Sequence, residues 1–187
     1  MGLFTTISRS IRRRREARRI VRRFSSYVDP STVERILNET LAPDPPPEQT
    51  DINFVVMLIA DDDLAELPAR LGRAFDILVA PGVFVESGSK SLVFASFGML
   101  PNCDQSVAIT QRGKAVVELQ KQLANQVRIV HGRTPGLFGN INCGSKFGFR
   151  YGSALRDFGA ILGMLTKLKP GEAWEWIEGN RHGQNSQ

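Results

Sequence analysis

The chain is poor in the residues that build redox and metal chemistry, with two cysteines and two histidines among 187 residues. Cys103 and Cys143 stand forty positions apart, which matches no zinc-ligand spacing and makes a poor disulfide framework. A reducing, cytoplasmic setting is therefore expected. Long apolar runs are missing too. None approaches the roughly 18 residues of a bilayer span. No hydrophobic stretch follows the basic start, so a secretory signal is not expected. Acid is scarce at the N-terminus, where nine arginines between Arg9 and Arg23 face one acid, Glu16. That segment carries +8, and taking it from the total of +5 leaves −3 for the rest. The basic balance thus belongs to an arm and not to the body, which weakens a nucleic-acid reading of the whole domain.

Residues 1–24 read as a basic amphipathic helix. Leu3, Phe4, Ile7 and Ile11 share a face, and Ile20, Val21 and Phe24 resume it. Arg12, Arg13, Arg14, Arg15, Arg18, Arg19, Arg22 and Arg23 fill most of the remainder. Such an arm suits an anionic membrane surface, a partner helix or RNA, or it stays solvated and partly frayed. Gly2 and Thr6 give the start a myristoylation-like form, a short pattern that matches often by chance. Residues 25–50 read as a short helix and a proline-rich linker. Asp29 is the N-cap candidate, Pro30 takes the first turn, and Pro43, Pro45, Pro46 and Pro47 form a stiff spacer.

The folded body is expected over residues 51–178, with a disordered polar tail at 179–187. Residues 52–60 form an apolar, β-branched run that reads as a buried strand. Leu64, Leu67, Leu71, Phe75 and Leu78 then repeat at helical spacing. Residues 82–86 and 91–97 read as two strands around a tight turn. Asp104 is a cap candidate for a helix carrying Val107, Ala108, Ala115, Val116, Leu119 and Leu123. A strand follows at 127–131. The order is that of a ferredoxin-like βαββαβ core, an α+β fold with its helices on one sheet face. A hairpin is expected over 137–142 and 146–151, then a helix capped by Ser153, then an edge strand with Trp174 and Trp176 on one face.

The chemistry-bearing feature is the run Asp61, Asp62, Asp63 at the end of the first core strand. Carboxylates there can hold a divalent cation over a sheet edge. The competing reading is helix capping against a positive N-terminal dipole. Lys146 and Arg150, among Gly144, Gly148 and Gly152, could cradle a phosphate, or the glycines serve turns and close packing. His131 is a lone histidine at a strand end, read as structural. Cys103 and Cys143 are read as ordinary thiols, and the tryptophan pair as sheet packing.

In this order, residues 24–171 resemble the class III adenylate/guanylate cyclase catalytic domain. Val56-Met57-Leu58-Ile59-Ala60-Asp61 is similar to the family's first strand, which ends in a metal-binding aspartate. Val85-Glu86-Ser87-Gly88-Ser89 through Phe97-Gly98 resembles the hairpin that holds the second one. Arg128-Ile129-Val130-His131-Gly132 and Gly139-Asn140-Ile141 resemble the strand and turn that follow. Gly152-Ser153-Ala154-Leu155 resembles the turn into the last long helix. The resemblance implies two metals, Mg or Mn, on two aspartates, with an asparagine and an arginine on that last helix. Asp61 matches the first aspartate. Ser89, Arg156 and Ala160 occupy the positions of the second aspartate, the asparagine and the arginine.

The resemblance therefore implies a cyclase-homology domain that has lost most catalytic residues. Such a domain would act as a regulatory or assembly module, with no cofactor expected. It would pair as a homodimer or with a cyclase-type partner, and lie in the cytoplasm with a peripheral membrane contact through its arm. One alternative is a divergent active cyclase that makes a cyclic nucleotide from ATP or GTP. The other is a nucleic-acid-binding accessory protein acting through the arginine arm.

Overall fold

The computed structural model describes residues 27–28, 47–60, 63–87, 91–99, 103–142 and 149–177. The arm, the helix expected after Asp29, Asp61, Asp62, Ser89, Cys143, Lys146 and the tail lie outside the described residues.

The centre is β2 (Glu48–Ile59), twelve residues long. Val55, Met57 and Ile59 point into one hydrophobic cluster, and Ile52, Phe54 and Val56 into another. This two-sided burial explains why the sequence shows a continuous apolar run instead of an alternation. On one flank β2 pairs with β4 (Leu92–Phe97), which pairs with β3 (Val83–Ser87). On the other flank it pairs with β5 (Val127–Asn142). All these pairings are antiparallel, and the order β3-β4-β2-β5 is that of the ferredoxin-like core. The α+β expectation and the core order hold.

Helices α1 (Leu67–Leu78) and α2 (Gln105–Leu123) cover the odd-numbered face of β2. Asp104 caps α2 as its sequence predicts, its carboxylate accepting from Ser106 N at 2.8 Å. The α1 start differs from the expectation. It begins at Leu67, with Leu64 left 69% exposed. The side chain at the N-cap position, Glu66, makes no cap bond. Asp63 instead accepts from Ala65 N at 2.9 Å in the turn ahead of the helix, and Pro68 stands in the first helical turn, where its fixed φ suits the helix.

The second half of the chain departs further from the sequence-based boundaries. The separate strands expected at 127–131 and 137–142 are one sixteen-residue strand, β5. It pairs with β2 along its first part and with β6 (Phe149–Leu155) along its second. Two glycines permit close approach along it. A Cβ on Gly136 would collide with the Ala154 carbonyl and the Ile52 side chain, and one on Gly132 with the Trp176 backbone. Ser153 does not cap a helix. It lies in β6 opposite Phe138, and its hydroxyl donates to Ser96 Oγ at 3.1 Å. The ladder with β5 satisfies backbone groups that a local cap would leave to compete. The helix, α3, starts later, at Phe158, and runs to Leu165.

α3 packs on the even-numbered face of β2, with Ile161 and Leu165 in the same cluster as Phe54, Phe84 and Trp176. Phe138 closes on Phe84 edge to face, with ring centroids 5.1 Å apart. The last strand, β7 (Ala173–Trp176), runs parallel to the first part of β5. Trp174 and Trp176 both pack on the α3 side, as the sequence pattern implies. Two residues read as part of the linker, Tyr27 and Val28, form strand β1 against β3. Glu48 to Thr50, also read as linker, belong to β2.

Phe54 is fully buried beneath α3. Phe54→Ala should cost about 3–5 kcal/mol, read as a lower denaturation midpoint at unchanged slope.

Candidate functional site

The end of β2 is held on every side. Ile59 N donates to Ser91 O at 2.9 Å and Ala60 N to Gln126 O at 2.7 Å. The Ala60 carbonyl accepts from Arg70 Nη1 at 2.8 Å. Arg70 is only 7% exposed, although it sits on α1. The Ala60 carbonyl is thereby pinned by a guanidinium. A hollow of about 340 Å³ opens here, lined by Leu58, Ala60, Asn125, Gln126, Arg128 and Pro170. Arg128 is half-buried at the start of β5, opposite Leu58. Cation and hollow therefore meet where the chain enters its aspartate run. A larger groove of about 900 Å³ lies between α1 and α2, lined by Ile77, Val83, Phe97, Ala115 and Val117 among others. Its floor includes Val83 and Phe97, which pair with each other near Asn53 and not near the end of β2.

The positions singled out from sequence do not all gather here. Arg150 lies in β6 opposite Ile141, along the extension of β5. Arg156 is in the turn between β6 and α3 and not on the helix. Its Nη2 donates to Asp157 Oδ2 at 3.3 Å, and its backbone N to Pro135 O at 3.0 Å. Asp157 also accepts from Thr134 Oγ1 at 3.1 Å. Ala160 is on α3 and exposed. The β3–β4 hairpin carries Ser87, Gly88, Ser89, Lys90 and Ser91, a sequence with no acid and one lysine. Among the described residues no three His, Cys, Asp or Glu side chains converge as a metal site.

A second polar cluster escaped the sequence reading. Arg112, on the buried stripe of α2, donates through Nη2 to Glu175 Oε1 at 3.0 Å and through Nη1 to Asn53 Oδ1 at 3.4 Å. Asn53 Nδ2 donates to Gln105 Oε1 at 2.8 Å. Asn53 is fully buried, and His131 is half-buried on the neighbouring strand. Burial pushes the Arg112 guanidinium below its ordinary value, with Glu175 opposing. Burial, and then the Arg112 charge, push His131 down, again against Glu175. The detectable signals were an asparagine inside an apolar strand and an arginine in register with Ala108, Ala115 and Leu119. His131 is thus inside a strand and within a charged cluster, and not alone at a strand end.

No protein-family model matches the chain, and no curated protein matches it in sequence. Solved structures do match. Two structures of a bacterial light-regulated adenylyl cyclase superpose with TM-scores of 0.53 and 0.51, at 10% and 14% identity. The alignments cover 89% and 88% of this chain and 53% and 52% of those. The guanylyl cyclase Cya2 superposes with a TM-score of 0.48 at 15% identity, covering 70% of this chain and 77% of that one. The chain spans about half the length of the light-regulated cyclases. What it shares with them is the fold, a nucleotide-cyclase-like α+β sheet. No helix among the described residues is long and apolar enough to cross a membrane.

Replacing Arg70 by Met should leave the Ala60 carbonyl unsatisfied at a part-buried site. The expected loss is about 1–3 kcal/mol of stability, measured by chemical denaturation.

Proposed function

We propose that this cyclase-like domain no longer turns over nucleotide and works as the regulatory or assembly half of a pair. The observation that carries the proposal is the pairing of the fold with Ala160. A bare methyl group stands exposed on α3 where the resemblance implies an arginine that stabilises the transition state. A single lost donor of that kind commonly costs about 10²-fold or more. Arg156, at the implied asparagine position, lies off the helix and is bonded to Asp157.

The donor set also argues against a two-metal site. Two divalent cations need carboxylates from more than one element, since hard cations take oxygen ligands and their mutual repulsion must be offset by anionic ones. Here the aspartate run follows β2, while residues 87–91, which join β3 to β4, are only serines, glycine and Lys90. Arg70 adds a cation at the Ala60 carbonyl. Mg or Mn does not fit this set as a catalytic pair.

Domains of the family it resembles pair head to tail and share sites across the interface, so a degenerate copy can pair with itself or with an active cyclase. The arginine arm would bring the pair to an anionic membrane or to a protein surface, with salt-sensitive RNA binding the less favoured outcome.

Incubation of the full chain with ATP or GTP and Mn²⁺ should yield no cyclic nucleotide. Clear product that disappears in Asp61→Ala would overturn the proposal in favour of a divergent active cyclase. Deleting residues 1–24 should abolish binding to anionic liposomes, checked by co-sedimentation. Retained binding would exclude the arm as the membrane contact.

A further inference from the structure

Three elements bring ionisable side chains together at the β7 edge of the sheet. Arg112 comes from α2, Glu175 from β7 and His131 from β5. The 3.0 Å Arg112–Glu175 contact ties the final strand to a helix, although the Glu175 side chain is 56% exposed. Strand pairing sets His131 directly beside Glu175. The buried Nδ1 of His131 has no hydrogen-bond partner among the described residues, and neither does Arg112 Nε. β2 places Val55 opposite His131 and neutral Asn53 two residues away on the same face. The next charges are the Arg133–Asp51 pair, 2.7 Å apart and exposed, further along β5 and β2.

A neutral imidazole suits this place. A protonated one sets a second cation beside Arg112 and competes with it for Glu175. We propose that Arg112, Glu175 and His131 form a proton-sensitive latch that holds β7 against β5 and releases it on acidification.

The direction follows from linkage. Burial and the Arg112 charge hold docked His131 below its ordinary value of 6.5. A released strand leaves the imidazole free to take its proton near that value. Docking is therefore fully favoured above 6.5 and weakens as the pH falls below it. β7 is only four residues long, so its docking depends on few contacts. On its other face Trp176 packs in the cluster that holds Ile161 and Leu165 of α3. Releasing β7 thus loosens the seat of α3.

The molecule carries its own probe, since its two tryptophans, Trp174 and Trp176, are both in β7. Tryptophan emission of the full chain, followed with far-UV circular dichroism from about pH 8 to 5, should red-shift with a midpoint below 6.5 while secondary structure is kept. His131→Asn should remove the step, and His182→Asn should leave it in place. Glu175→Gln should red-shift emission already at the alkaline end. Flat emission in the wild type, a step that survives His131→Asn, or a parallel loss of circular dichroism would overturn the latch. Should His131→Asn fail to fold, the wild-type histidine proton resonances decide, with His182→Asn giving the assignment. His131 is expected to titrate below 6.5, and titration at or above that value overturns the proposal.

Discussion

β2 is buried on both faces, and the rest of the molecule is arranged around that requirement. An antiparallel strand with one wet face needs a single helical layer. β2 has none wet, because Ile52, Phe54 and Val56 are as apolar and as buried as Val55, Met57 and Ile59. The first face is met by α1 and α2, the ordinary complement of a ferredoxin-like core. The second needs material from outside that core. It comes from β5 and β6, which bring Phe138 and Leu155 over Phe84, and from α3 and the tryptophans of β7. Burial at roughly 25 cal/mol per Å² of apolar surface makes these additions structural necessities and not ornaments.

Polar groups mark where this two-layer packing is interrupted. At the C-terminal end of β2, Arg70 satisfies the last carbonyl before the aspartate run. Near its N-terminal half, Asn53 lies where the odd-face pattern calls for an aliphatic side chain, and Gln105 and Arg112 satisfy it. Once Arg112 is buried it requires an acid, and Glu175 of β7 supplies one. A single polar residue in the central strand thereby reaches, through α2, the last strand of the fold. The chemistry expected at the sheet end and the titration expected at its edge are separate, and neither needs the other.

The cyclase-like fold is a statement about architecture alone. In the family it resembles, catalysis rests on a few side chains brought together by that architecture. The positions that the sequence resemblance assigns to them hold Asp61, Ser89, Arg156 and Ala160 here. Arg156 shows how a position carried over by sequence can change its setting. With β6 extended through Leu155, residue 156 falls in a turn instead of on a helix, and its guanidinium turns to Asp157.

By itself the sequence determined the elements whose signals are local. The apolar run of β2, the periodicity of α1 and α2, the Asp104 cap and the paired tryptophans all depend on neighbours within a few residues. The α+β class and the ferredoxin-like order followed from them. Tertiary structure decided whatever depends on distant partners. Residues 127–142 form one strand because β2 and β6 offer a continuous ladder on either side. Ser153 joins a sheet because Phe138 lies opposite it. Tyr27 and Val28 become a strand because β3 has a free edge. His131 becomes titratable machinery because Arg112 and Glu175, 19 and 44 residues away in sequence, arrive beside it. Backbone hydrogen bonds and charge pairs between remote segments carry no periodicity, so no local pattern announces them before the chain has folded.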